Sequence, residues 1–194
     1  MPVAPIVPRN MEPLSGPFSL VPIGWVSSPY HRRFGTPQQA AAVDSHAEAI
    51  LHMDAERIPA QAFADLVGVE RIWIVSWLHR GGTWSAMVRP PRGTRERRGL
   101  FATRSPDRPN PIGLSAVRLV RVDGCDLHVC GIDLIDGTPI LDIKPYLPYA
   151  DAFPDAKAGW IDGIPRDAPQ VARRPAAIDN SVGKSDGKPG HEQG

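Results

Sequence analysis

The stretch Leu114-Ser-Ala-Val-Arg-Leu-Val-Arg-Val-Asp-Gly-Cys-Asp-Leu-His-Val-Cys-Gly-Ile-Asp-Leu134 decides the fold class. Leu114 to Val122 is an apolar, β-branched run that suits a strand. Asp123-Gly124 follows, a dipeptide that supplies the positive φ of a tight hairpin. From Cys125 to Leu134 the chain returns, with His128 polar but Cys130, Ile132 and Leu134 apolar on one face. A second turn, Asp136-Gly137, leads into a strand from Pro139 to Lys144 that carries Asp142 and Lys144 on one side. Pro145 to Asp151 reads as extended chain.

Upstream lies Gly99-Leu-Phe-Ala-Thr-Arg-Ser-Pro-Asp-Arg-Pro-Asn-Pro-Ile-Gly-Leu-Ser115. Pro106, Pro109 and Pro111 are too close together for a helix, because each lacks an N–H and drives its predecessor to extended geometry. Arg104 and Arg108 thus sit on a stiff loop between strands. Planar guanidinium forks in such a loop suit a carboxylate or another anion. The same residues also fit a proline-rich surface turn with solvated arginines.

Arg71 to Leu78 is β-branched and aromatic, a core strand that ends in His79-Arg80 before Gly81-Gly82. Thr83 to Arg89 then reads as the returning arm of a hairpin, and Trp73, Trp77 and Trp84 as core rather than base-stacking residues. Ala47 to Met53 alternates as a strand, with helix as its rival. Pro59 to Leu66 suits a brief helix with Gly68 just beyond it. Ser19 to Val26 is a first strand, with Pro22 placing it near an edge or bulge, and Thr36-Pro37 resembles a short helix start. Many short strands with frequent turns and little helix predict a mainly β chain: an antiparallel, barrel-like β domain with short helices and flexible termini. The expected divisions are a flexible arm over 1–18, the barrel domain over 19–161 and a disordered tail over 162–194, where Pro, Gly, Lys, Asp and Gln displace apolar residues.

Composition limits the function classes. The 194 residues suit one domain and a tail. With 22 basic and 21 acidic residues, the chain as a whole is no polycation. Between Arg89 and Arg108, however, seven arginines face only Glu96 and Asp107, a surplus of five positive charges that can attract phosphates or simply be solvated. Cys125 and Cys130 form no disulfide framework; they are expected on opposite faces of one strand, in keeping with a reducing cytoplasm. No signal-peptide pattern or membrane-spanning apolar run is present, and the six histidines lack metal-ligand spacing, so no metal is expected. His79 can cap its strand or touch a ligand. Asp136-Gly-Thr-Pro139 can hold hydroxyls or an amine, or be a plain turn. Asp142 and Lys144 can line a cleft or form an exposed pair of little worth. There is no dinucleotide fingerprint and no P-loop.

Phe101-Ala-Thr-Arg-Ser-Pro-Asp-Arg-Pro-Asn-Pro-Ile-Gly113 with Asp136-Gly-Thr-Pro-Ile-Leu-Asp-Ile-Lys-Pro-Tyr146 resembles the TsaA-like (TrmO-type) family. Ile23-Gly-Trp-Val-Ser-Ser-Pro-Tyr30 and Val88-Arg-Pro-Pro-Arg92 fit the same pattern, and the resemblance runs from roughly Val21 to Ala156. It implies a β-barrel that binds S-adenosylmethionine without a Rossmann domain, as a homodimer with the ligand near the interface. The implied activity is methylation of N6 of threonylcarbamoyl-adenosine beside the anticodon of tRNA. The implied ligand contacts are Pro37, Gln38, Gln39, His79, Arg80, Arg104, Leu114, Asp136, Gly137, Thr138 and Pro139. In this reading Arg104 pairs with the methionine carboxylate and Leu114 packs on adenine. Asp142 is the candidate general base, with Lys144 beside it, and Arg92, Arg108 and Tyr146 shape the acceptor side. Two departures stand out: Arg80 occupies a position where tRNA-modifying relatives are expected to carry Gln, and the tail does not read as the small C-terminal domain with which longer bacterial relatives grip tRNA. Methylation of another acceptor, and binding of S-adenosylmethionine without catalysis, are the alternatives.

Overall fold

A computed structural model describes residues 17, 19–32, 36–37, 47–91, 93 and 96–165. Among these residues eight strands form in chain order: β1 (Gly24–Ser27), β2 (Glu48–Met53), β3 (Arg71–Trp77), β4 (Met87–Val88), β5 (Arg98–Gly99), β6 (Ile112–Asp123), β7 (Asp126–Cys130) and β8 (Pro139–Pro145). Six of them close into an antiparallel barrel in the order β1-β2-β7-β6-β3-β8, while β4 and β5 make a separate two-stranded sheet. The expected barrel-like architecture is borne out. Helix among the described residues is confined to 3₁₀ turns at Ala60–Phe63, Leu100–Ala102 and Gly159–Ile161 and one α-helical turn, α1 (Pro148–Asp151).

Strand alternation fills the barrel. Ala49, Leu51 and Met53 of β2, Ile72 and Ile74 of β3, Val117 of β6, Leu127 and Val129 of β7 and Ile140 of β8 point inward and are buried together. The β6–β7 hairpin turns at Gly124, whose φ of 61° is the left-handed conformation expected of Asp-Gly. β2 is a strand, as its alternation predicts.

Several expectations need correction. Thr83 to Arg89 does not return along β3, because β6 and β8 already occupy both edges of that strand. Only Met87–Val88 is extended, and it pairs with β5. Trp73 and Trp77 are not core: β3 alternates with Ile72, Ile74 and Ser76 inward, which leaves both indoles half-buried on the outer wall, and Trp84 is exposed. β1 begins only at Gly24, and β7 ends at Cys130 because Gly131 turns the chain with a φ of 80°. β6 starts two residues before Leu114. The Pro145–Asp151 segment includes a helical turn, with Pro148 fitting the first position because its missing N–H is needed there by no one. Cys125 precedes β7 and packs against the core, whereas Cys130 is buried outside that cluster, on the face opposite Leu127 and Val129, so the two thiols lie on opposite faces as expected.

A tight contact fixes β3 against β6. Ser76 pairs with Gly113, and its fully buried hydroxyl has no hydrogen-bond partner. A Cβ at Gly113 would lie 2.5 Å from Ser76 Oγ and 2.9 Å from Leu78 Cδ2. Gly113→Ala should therefore cost about 1–3 kcal/mol through overpacking. Ser76→Ala, which removes an unsatisfied oxygen, should be neutral or stabilising alone and should recover part of that loss in the double variant. Urea unfolding of the three proteins checks this, and a Gly113→Ala protein as stable as wild type would disprove the contact.

Candidate functional site

The antiparallel register sorts the loops between the two ends of the barrel. β1, β3 and β7 end, and β2, β6 and β8 begin, at the same rim. The segment after β1, the His79-Arg80 corner, the Arg104 loop and the Asp136 turn therefore gather there, although they are far apart in sequence. Direct bonds tie them together. Asp136 Oδ1 accepts the Ser28 N–H at 3.0 Å, the Asp136 N–H donates to Tyr30 at 2.7 Å, and His31 Nδ1 lies 3.6 Å from Asp136 Oδ2. Arg80 donates to the His31 carbonyl at 2.8 Å, bridging the β3 corner to the segment after β1. Leu78 donates to the Pro111 carbonyl at 2.7 Å and Gly82 to Asp107 Oδ1 at 2.6 Å, which joins that corner to the arginine loop.

The Asp136 turn is well defined. Gly137 has a φ of 73°, and its N–H donates to Val26 at 2.8 Å. Thr138 is buried, with its hydroxyl donating to the Ile135 carbonyl, and Pro139 opens β8.

Around Arg104 the loop is braced from within. Thr103 Oγ1 donates to Leu100 and accepts from the Ser105 N–H. Arg108 donates to the carbonyls of Thr103 at 3.0 Å and Ser105 at 3.4 Å and lies over the Phe101 ring. Trp160 donates its indole N–H to Ala102 at 2.9 Å while Arg98 stacks on its ring, and Ile164 fills the space beside Gly93. Arg104 itself is exposed and has no hydrogen bond or ion pair with a described residue. One arginine of the pair is thus structural, and the other presents a free fork.

A second group lies on the outer wall. Leu114, Val75 and Asp142 form one row across β6, β3 and β8, while Ala116, Trp73 and Lys144 form the next. Leu141 is the extra residue of an irregularity in β8, and this puts Asp142 outward while Ile143 turns to the core. Asp142 Oδ2 is 2.7 Å from Lys144 Nζ, and its Oδ1 accepts the Ile143 N–H. Tyr146 packs on Trp73, whose indole N–H donates to Asp151. The Leu147 N–H first, and that indole bond second, hold the Asp151 carboxyl below its ordinary pKa. Ile112 and Leu114 are 44% and 56% exposed, so this wall is an uncovered apolar surface.

Gln38, Gln39 and Arg92 lie outside the described residues, whereas Pro37 is half-buried beside the rim segment. Among the described residues no group of three His, Cys, Asp or Glu could hold a metal ion. Sequence reasoning did not single out Ser28 or His31, although Ser28 lies within the Ile23–Tyr30 motif and His31 directly follows it. Nothing local marks Trp160, since its partner is 58 residues away.

Two expectations follow for the rim. Trp160→Phe keeps a ring for Arg98 but loses the bond to Ala102, which should cost about 0.5–1 kcal/mol and speed proteolysis at the Arg104 loop; unchanged cleavage would show that the loop does not need this brace. Burial first, and the Arg80 charge second, push the His79 pKa below its ordinary 6.5. The folded state thus favours neutral imidazole, a contribution to stability present above pH 6.5 and lost as pH falls toward the folded value. The His79 resonances should titrate below 6.5, and Arg80→Ala should restore only the smaller part of the shift.

Comparison with known proteins agrees with this architecture. Residues 25–152 match the tRNA-methyltransferase O N-terminal domain. The chain is 43% identical over 155 residues to the tRNA (adenine(37)-N6)-methyltransferase of Escherichia coli, an alignment covering 76% of this chain and 66% of that protein. A protein of Archaeoglobus fulgidus described as a "probable S-adenosyl-L-methionine-binding protein" is 37% identical over 72% of this chain and 37% of its own length. The crystal structure of TrmO from Pseudomonas aeruginosa superposes with a TM-score of 0.64 at 38% identity, covering 77% of this chain and 65% of that one. The chain thus spans slightly less than two thirds of these bacterial relatives. It belongs to the tRNA-methyltransferase O N-terminal domain family.

Proposed function

We propose that this chain is an S-adenosylmethionine-dependent methyltransferase acting on N6 of threonylcarbamoyl-adenosine beside the anticodon of tRNA. The observation that carries this reading is the gathering of the Arg104 loop, the His79-Arg80 corner and the Asp136 turn at one rim of a family barrel.

The donor set fits the ligand. Arg104 offers an unengaged fork for the methionine carboxylate. Asp136 retains lone pairs beyond the one that receives the Ser28 N–H, enough to accept ribose hydroxyls or the amino group. Gly137, Thr138 and Pro139 hold that turn, while Pro37, Gln38, Gln39, His79 and Arg80 complete the first-loop side. His79, kept neutral, adds a hydrogen-bonding group without a charge that would repel a cationic ligand. S-adenosylmethionine supplies a methyl group made electrophilic by its sulfonium. The chain's part is to align that group with the acceptor and to exclude competing geometries. N6 is a poor nucleophile and loses a proton in the reaction, so Asp142, oriented by Lys144, is assigned as general base. Arg92, Arg108 and Tyr146 belong to the acceptor side.

Leu114 and Asp142 stand on the outer wall rather than on the rim. A homodimer that covers this apolar wall would bring both against the rim of a second copy and bury Ile112 and Leu114. The dimer is cytoplasmic in this reading, built on a domain over 19–161; the expected arm over 1–18 and tail over 162–194 lie almost wholly outside the described residues. The Archaeoglobus relative's description favours one second reading, ligand binding without methyl transfer.

Nucleoside mass spectrometry of total tRNA incubated with S-adenosylmethionine and the protein should show a one-methyl gain on threonylcarbamoyl-adenosine. Arg104→Ala should weaken ligand binding by calorimetry roughly 10-fold or more, as the loss of a charge-assisted bond implies. Binding without any methyl gain would establish the second reading, and unchanged affinity would remove Arg104 from the site. Sedimentation of the same preparation reads the dimer.

A further inference from the structure

The two-stranded β4–β5 sheet carries an electrostatic conflict. Val88 pairs with Arg98, and Arg89 and Arg97 lie immediately beyond that last pair and line the same cavity. Like charges brought together at a strand pair are destabilising. Among the described residues neither has a carboxylate partner: Arg97 donates to the Met87 carbonyl at 3.0 Å, and exposed Arg89 makes no hydrogen bond or ion pair with any of them. Glu96, the nearest acidic residue in sequence, is engaged by Arg98.

The two arginines line an open cavity of about 370 Å³ together with the hydroxyls of Thr83 and Ser85 and the Asp107 carboxylate. Asp107 also receives the Gly82 N–H, so it is held to one wall. Its bond to Gly82 ties the cavity to the loop that follows the His79-Arg80 corner of the rim. Two guanidinium groups and the Thr83 hydroxyl around an open hollow match a tetrahedral oxyanion, because guanidinium forks donate bidentately and the hydroxyl adds a donor, while Ser85 Oγ already donates to the Met87 carbonyl at 3.2 Å. An anion between Arg89 and Arg97 would also remove their repulsion.

We infer that the Arg89–Arg97 cavity is a phosphate subsite that takes a backbone phosphodiester of the RNA whose base enters the rim. This rests on the proposed action on tRNA and assigns a place to one part of that substrate. A chain-linked phosphate is favoured over a free one, because the cavity is too open to enclose a small ion and is tied through Gly82 to the rim where the base is handled.

The test is fluorescence anisotropy of a labelled tRNA transcript with the full chain between 50 and 200 mM salt, for wild type, Arg89→Gln and Arg89→Lys. Each phosphate contact contributes about 0.7–0.9 to the slope of log affinity against log salt. Arg89→Gln should flatten the slope by about that amount and weaken binding several-fold, Arg89→Lys should retain most of the slope, and affinity for S-adenosylmethionine should not move. Inorganic phosphate should raise the melting temperature of wild type only weakly and of Arg89→Gln not at all. Because exposed Arg89 makes no bond to a described residue, the variant should fold, and its melting temperature in phosphate-free buffer should equal or exceed that of wild type. An unchanged slope overturns the subsite. Protection by inorganic phosphate as strong as that by RNA overturns the assignment to a polynucleotide. If the slope changes as expected but no methyl gain occurs in the nucleoside assay, the subsite stands and the proposed reaction fails; methyl transfer with an unchanged slope reports the reverse.

Discussion

Four residues of β1 close the barrel, and the same seam builds the Asp136 turn. Ile23 donates to Ile140, Val26 donates to Thr138, and Gly137 donates back to Val26. Closure removes the last open edge of a six-stranded sheet, which otherwise would expose a ladder of unpaired groups. The seam is narrow because Gly24 sits against the β2 backbone, where a Cβ would collide with the His52 carbonyl. Once β1 is in place, Ser28 and Tyr30 follow directly and take up the carboxylate and N–H of Asp136. Barrel closure and assembly of the rim are therefore one event: a change that loosens β1 also unmakes the turn assigned to the ligand.

Register decides the rest of the site's geography. In a regular strand Asp142 would share its face with Ile140 and point to the core. The irregularity at Leu141 reverses the phase, so Ile143 fills the interior and Asp142 and Lys144 move to the outer wall. An uncompensated pair inside the barrel would be costly, whereas an exposed one costs little. The same shift aligns Asp142 with Val75 and Leu114, which is why residues grouped by motif end up on a wall and not on the rim.

The sequence allowed the fold class to be read because alternation and turn chemistry are local. Asp123-Gly124 and the β2 and β3 patterns each carry their own signal within a few residues. Partner choice is not local, and this is where the reading failed. Thr83–Arg89 looks like the second arm of a hairpin, but nothing near it reveals that β6 and β8 flank β3. Trp73 and Trp77 look like core because indoles are large and apolar, yet only the phase of the alternation tells inside from outside, and Ser76 is the inward residue. The irregularity in β8 left no mark in Pro139–Lys144, where the expected common side of Asp142 and Lys144 held but its direction could not be read. Arg104 and Arg108 are indistinguishable in type; only the closeness of Thr103 and Ser105 shows that one of them serves the loop.

A further constraint concerns how such a barrel can recognise an anionic group at all. Phosphate and carboxylate sites often use the free N–H groups at the start of a long helix. Here every helical segment among the described residues is a single turn, and the N–H groups of Asp136 and Gly137 are already bonded to Tyr30 and Val26. Recognition must then come from side chains, and a long flexible arginine loses much of its worth to ordering unless the backbone beneath it is fixed. The loop around Arg104 meets this need through contacts that themselves touch no ligand: Arg108 binds two carbonyls of the loop, Trp160 a third, and Pro106, Pro109 and Pro111 limit the backbone between them. Rigidity imported by a second arginine and a distant indole takes the place that a helix terminus fills elsewhere, which makes Trp160, far from the motif in sequence, part of what the motif requires.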